Sequence, residues 1–136
     1  MILHQVAQHA EDLQRAVEFY TRLLGEPPIA MFDPPGLAFF RLGDTRLLIE
    51  RGAPSALIYL RVEDVRATVE QLRADGFAIG TEPHVIFTDE TGTFGPAGAE
   101  EWMAFITDSE GNIVGLASQN MPGDGSAVAA SRPSRS

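Results

Sequence analysis

The sequence contains no cysteine, which excludes disulfide frameworks, thiolate metal sites and cysteine nucleophiles and leaves the redox compartment unread. No apolar run approaches the length of a membrane span, and the first residues, Met1-Ile2-Leu3-His4-Gln5, lack the basic region and long apolar stretch of a secretory leader. The expectation is therefore a cytoplasmic protein with no membrane partner. Basic residues are scarce: 10 Lys plus Arg stand against 19 Asp plus Glu, a formal charge of −9. Such a surface repels phosphate backbones, so nucleic acid is not an expected partner. The same field would draw in a cationic ligand, although an acidic surface that merely keeps a protein soluble is commoner.

What is present is an ordinary globular composition, 44% apolar and 21% charged, with enough chain for one sizeable core. Asp12 is placed to cap a helix in which Leu13, Ala16, Val17, Tyr20, Leu23 and Leu24 recur at three- and four-residue steps until Gly25 stops it. A second helix reads from Asp64 through Val65, Val69 and Leu72 to Asp75-Gly76. Strand-like runs precede each helix, at 2–10 and 56–62. Three more follow each: 29–33, 37–42 and 45–51 after the first, and 78–87, 101–107 and 112–118 after the second. Turn residues fall at Pro34-Pro35-Gly36, Gly43-Asp44 and Asp108-Ser109-Glu110-Gly111. The order βαβββ thus occurs twice, in modules of about 1–52 and 55–119 within one domain, and the composition from about Asn120 to Ser136 predicts a disordered tail. A module of this kind covers one sheet face with its helix and leaves the other bare. Two modules side by side are expected to form a cupped mixed sheet of the α+β class, with its concave side open to a small ligand.

Three stretches in this order resemble the vicinal-oxygen-chelate superfamily, the glyoxalase, bleomycin resistance protein and dioxygenase group. They are 5–13 leading into Arg15-Ala16-Val17-Glu18-Phe19-Tyr20 and Leu24-Gly25; Arg61-Val62-Glu63-Asp64-Val65; and 104–112, ending Asp108-Ser109-Glu110-Gly111-Asn112. The resemblance covers residues 2 to 118. It implies a homodimer, and in metal-dependent members four inward strand positions supply His, Gln or Glu to a divalent ion. Carried over by register, these positions fall on Gln5, Glu50, Leu57 and Gly115. The last two have no donor side chain, so the expectation is a site without a cofactor or tightly bound metal. A divalent metal is the alternative, and it would require His9 and His84 to converge with Glu50.

Strand alternation predicts which side chains line the concave face. The set is Gln5, Ala7 and His9 on the first strand; Arg46, Leu48 and Glu50 on the fourth; Leu57, Tyr59 and Arg61 on the fifth; and Glu101, Met103 and Phe105 on the seventh. His4, by the same rule, points to the opposite face. Trp102 points away and packs under the second helix or at a subunit contact. Glu50 is the candidate general base, because a carboxylate beside Leu48 loses hydration; the competing reading pairs it with Arg46 or Arg51. His9 is the candidate proton relay or orienting group, against simple hydrogen bonding to a neighbour. Arg61 would grip a ligand carboxylate or phosphate, against an ion pair with Glu63 or Glu101. Ligand-binding candidates are completed by His84 and by Phe94, the single aromatic of the Gly-rich stretch 88–99, which reads as a flap or as a long unstructured connection.

The functional expectation is a glyoxalase- or bleomycin-resistance-like protein that binds a small organic molecule without metal. The alternatives are a lyase, isomerase or dioxygenase-type enzyme moving a proton next to a carbonyl with Glu50 as base, and a non-catalytic interaction domain.

Overall fold

The computed structural model describes residues 1–123. Most of the tail expected to be disordered lies outside the described residues, and the last strand continues to Asn120, where that tail was expected to begin. The elements are β1 (Gln5–His9), α1 (Leu13–Leu24), β2 (Ala30–Phe32), β3 (Leu37–Leu42), β4 (Thr45–Glu50), β5 (Ile58–Arg61), α2 (Val65–Ala74), β6 (Ala78–Asp89), β7 (Ala99–Thr107) and β8 (Ile113–Asn120). They form two units, Met1–Leu57 with Asp108–Asn112, and Ile58–Thr107 with the described residues from 113 to 123. Each holds a four-stranded mixed sheet, ordered β1-β4-β3-β2 in the first and β5-β8-β7-β6 in the second. The βαβββ order is therefore present twice.

In the first unit α1 begins where expected. The Asp12 carboxylate accepts from the Arg15 amide at 3.1 Å, satisfying one of the free donors of the first turn, and Gly25 ends the helix in the left-handed conformation. Its apolar stripe buries Ala16 and Tyr20 against the sheet face that carries Ala38, Phe40, Leu47 and Ile49. The rings of Tyr20 and Phe40 lie 6.2 Å apart. Burying a tyrosine also buries a hydroxyl, which must be satisfied. Tyr20 donates to Asp108 Oδ2 at 2.6 Å, and Gln8, itself fully buried, reaches the same hydroxyl at 3.5 Å. Burial, reinforced by the bond to Asp108, pushes the Tyr20 hydroxyl above its ordinary range. The turn 108–112 is built around that carboxylate, which also accepts from the amides of Glu110 and Asn112 and from the Asn112 side chain. Asn112 Nδ2 in turn donates to the His9 carbonyl at 2.9 Å. Glu110 takes both ends of the Arg15 guanidinium, at 2.7 and 3.0 Å, and the Asp12 amide.

In the second unit α2 is capped by Asp64, which accepts from the Arg66 amide at 2.9 Å. The helix buries Val65, Thr68, Val69 and Leu72 on the sheet face that carries Ile58, Ala104, Ile106, Val114 and Leu116. Arg66 lays its guanidinium over the Trp102 ring at 4.0 Å, so Trp102 sits on the helix side, as alternation predicts. The edge strand β6 is longer than expected and carries three register shifts against β7, which bend an exposed strand edge out of regular pairing.

Candidate functional site

On the first sheet the helix-free face is the one alternation picks out. Gln5, Ala7 and His9 stand in register with Arg46, Leu48 and Glu50 across the parallel β1/β4 pair. The face continues onto β3, where Phe39 opposes Leu48 and Arg41 opposes Arg46. These two residues were missed by the sequence reading, which drew its lining from the first, fourth, fifth and seventh strands only. The Gly43-Asp44 hairpin, which fixes the β3/β4 register, was the signal that could have found them. Arg46 Nε donates to Gln5 Oε1 at 3.0 Å and Nη2 donates to His4 Nε2 at 2.8 Å, with the guanidinium 5.6 Å from the Phe39 ring centre. His4 thus departs from expectation: it lies before β1, outside the alternating ladder, and its ring swings to the Gln5 side.

At the far end of the face the His9 ring turns to its neighbour, with Nε2 3.1 Å from Glu11 Oε1, and that bond raises its pKa above the ordinary histidine value. Its backbone is fixed by Ser55, which accepts from the His9 amide at 3.0 Å. Glu50 is partly buried. The pairings expected for it are not made: Arg46 is engaged as above, Arg51 donates to the Glu11 carbonyl at 2.8 Å, and Glu50 takes part in no ion pair among the described residues.

On the second sheet the helix-free face carries Tyr59 and Arg61 of β5, Gly115 and Ala117 of β8, and Glu101, Met103 and Phe105 of β7. The rings of Tyr59 and Phe105 meet edge to face at 6.0 Å above Gly115. A Cβ there would lie 2.6 Å from the Tyr59 ring and 3.2 Å from that of Phe105, so the glycine makes room for the aromatic pair. The bulges in β6 place Thr81, His84 and Phe87 opposite Phe105, Met103 and Glu101, and therefore on the same face. His84 is exposed, with Nδ1 2.9 Å from the Glu82 carbonyl. Arg61 is exposed and, among the described residues, makes no ion pair with Glu63 or Glu101. Leu57, expected within the fifth strand, lies just before it, half-exposed.

The stretch read as a flap or unstructured connection is a built loop. Asp89 is buried, and its carboxylate accepts from the amides of Thr93, Phe94 and Gly95 at 2.9, 2.9 and 3.1 Å, while its carbonyl accepts from the Gly98 amide at 2.8 Å. These amides, that of Phe94 foremost, hold the carboxyl below the usual carboxylate range. At Gly95 the end of the Gln119 side chain lies in the space a Cβ would take. The loop presents Phe94, 68% exposed, with its ring 5.8 Å from that of Phe87. Asp89→Ala is expected to cost roughly 2 kcal/mol by leaving three amides without their acceptor. Hydrogen exchange at Thr93, Phe94 and Gly95 should then accelerate by at least about tenfold, and unchanged protection there would refute the assigned role of Asp89.

The family model of the Glyoxalase/Bleomycin resistance protein/Dioxygenase superfamily matches residues 2–116. The chain belongs to this superfamily. Among solved structures it is similar in fold to TnmS3, an antibiotic binding protein from Streptomyces sp. CB03234, at 21% identity over 88% of this chain and 97% of that one, with a TM-score of 0.66. A lactoylglutathione lyase from Agrobacterium tumefaciens matches at 21% identity over 86% and 92% of the respective chains, TM-score 0.62. A glyoxalase/bleomycin resistance protein from Albidiferax ferrireducens T118 matches at 20% identity over 87% and 99%, TM-score 0.61. No curated protein matches the sequence. No helix among the described residues is long and apolar enough to cross a membrane.

The metal implied by metal-dependent members can be tested against these residues. Of the four corresponding positions, Gln5 already has its oxygen on a guanidinium, Leu57 has no donor, and at Gly115 two aromatic rings take the space of a side chain. Glu50 alone remains. Among the described residues no three His, Asp or Glu side chains group in a way that could hold a metal ion. The residues present do not fit the metal.

Proposed function

We propose that this chain binds a small organic molecule on its helix-free sheet faces, as a glyoxalase- or bleomycin-resistance-like protein that uses no tightly bound metal. The observation that carries the reading is Phe94. A buried carboxylate and three backbone amides are committed to holding this exposed ring beside Phe87, on a sheet whose helix-free face also shows Tyr59, Met103 and Phe105. An aromatic surface fixed in place and left uncovered suits the apolar part of a ligand. The fold shared with an antibiotic binding protein points the same way. A homodimer belongs to the same reading, and light scattering would report it as twice the chain mass.

A thermal-shift screen of small organic compounds in metal-free buffer should return compounds that raise Tm. Phe94→Ala should weaken binding of such a compound about tenfold, or roughly 1.4 kcal/mol. Compounds whose affinity is indifferent to Phe94→Ala and to Tyr59→Ala would contradict the reading.

A second reading has one specific observation in its favour. Glu50 is a partly buried carboxylate left without a cation although Arg51 follows it directly in the chain. Free of an ion pair, it is available to accept a proton from carbon next to a ligand carbonyl. If it does so, Glu50→Gln abolishes turnover and leaves affinity within about twofold; unchanged turnover in that variant removes Glu50 as the base.

A further inference from the structure

Like charges set directly opposite each other across a β-ladder repel. The helix-free face of the first unit has such a pair. Arg41 and Arg46 are register partners on β3 and β4, so both side chains leave from one face, and among the described residues neither takes part in an ion pair. The sequence has no lysine, so its 10 basic residues are all arginine. Arg15, Arg66 and Arg73 are paired with carboxylates, as an acidic chain readily allows. Two guanidiniums side by side with no carboxylate, in a chain of formal charge −9, run against the surrounding field.

Arg46 is also held in position. Its three contacts are the Gln5 amide oxygen, His4 Nε2 and the Phe39 ring. The first and last are neutral, and an Nε2 that accepts belongs to an imidazole carrying its hydrogen on Nδ1. The charge is therefore fixed in place and not neutralised, and the remaining N–H donors of the fork stay free. From this end the face runs over the part-exposed Ala7 and Phe39, an apolar floor with Leu48 buried among them, to Glu50. Glu50 lies four residues along β4, about 13 Å at the rise of a strand. Asp44, in the turn between β3 and β4, forms no ion pair with either arginine.

We propose that Arg41 and Arg46 clamp the oxyanion, carboxylate or phosphate-like, of a small organic ligand whose apolar body lies on Phe39 and Ala7. This inference rests on the reading of the helix-free face as a ligand site, and it adds the chemical class: an organic anion, in spite of the acidic surface as a whole.

The test compares naphthalene-2-carboxylate with its neutral isostere naphthalene-2-carboxamide, by titration of the 15N-labelled full chain. The carboxylate should shift the Nε–H signals of Arg41 and Arg46 and bind about tenfold tighter than the carboxamide, as a charge-assisted contact requires. In the double variant R41Q/R46Q that preference should fall to within about twofold. The Tm of R41Q alone should equal or exceed that of the native chain, because the like-charge pair is removed and Arg41 makes no bond that is lost. If the double variant does not fold, R41Q alone serves, since the Arg41 side chain makes no bond that its removal would break. Equal affinity of the two probes, both shifting the amides of Phe39 and Leu48, overturns the clamp and leaves the binding face standing. No shift on that face from either probe overturns both.

Discussion

Replacing Asp108 by alanine is expected to lower the free energy of unfolding by roughly 3–5 kcal/mol, and Tm by on the order of 10 °C. Asp108 is a turn residue, where substitutions usually matter little, but its carboxylate is the acceptor for the buried Tyr20 hydroxyl, two turn amides and the Asn112 side chain. Removing it leaves the buried Tyr20 hydroxyl without an acceptor, in a place where Gln8 already has one buried oxygen unsatisfied. Tyr20→Phe should cost less, roughly 1–2 kcal/mol, because it deletes one donor and leaves three on the carboxylate. Chemical denaturation of both variants is the check. A loss under about 1 kcal/mol for Asp108→Ala would show that water or a rearranged turn replaces the carboxylate.

Acidification should remove a second part of the same structure. The Arg15 guanidinium holds the Glu110 carboxyl down at about 2, against 4.5 for a free glutamate. The folded value lies below the unfolded one, so this stabilisation is complete above pH 4.5 and is lost as pH falls from there toward about 2. The Glu110 side chain is fully buried but Arg15 is half-exposed. Solvent screening therefore reduces the contribution to on the order of 2 kcal/mol. Stability measured by urea unfolding between pH 6 and pH 2.5 should fall along this limb, and Glu110→Gln should flatten it at the cost of lower stability at neutral pH. An acid limb identical in the variant would place the titrating group elsewhere.

These two effects explain what the family-like stretches of the sequence are for. Arg15, Tyr20 and Asp108 to Asn112 were legible as a resemblance, and their contacts show a physical cause: they join the first helix to the 108–112 turn through buried polar groups. Much of the resemblance is thus about architecture. The fold was legible because both helices carry Asp caps before an apolar stripe, and because β1, β3 and β4 pair without bulges, so alternation assigns their faces correctly. It failed where the ladder does. His4 lies before the first strand, and β6 carries register shifts that put residues three apart, Thr81, His84 and Phe87, on one face. The order of the loop after β6 was not legible for a different reason. Its glycines suggested a flap or a long connection, whereas an aspartate four to six residues before the amides of Thr93, Phe94 and Gly95 is a local side-chain-to-backbone acceptor. At the candidate site, Gln5 and Glu50 were visible as polar residues on an inward face, but not that Arg46 would take the first and leave the second alone. That outcome depends on rotamers, which spacing does not encode.

The most direct test of the account is a fragment soak of crystals grown from EDTA-treated protein. The account predicts organic fragments seated against Phe39 and Ala7 or against Tyr59, Phe105 and Phe94, with no ion in contact with Gln5 or Glu50. Fragments bound only on the helix-covered sides, or a metal ion held by three or more side chains of this chain, would contradict it.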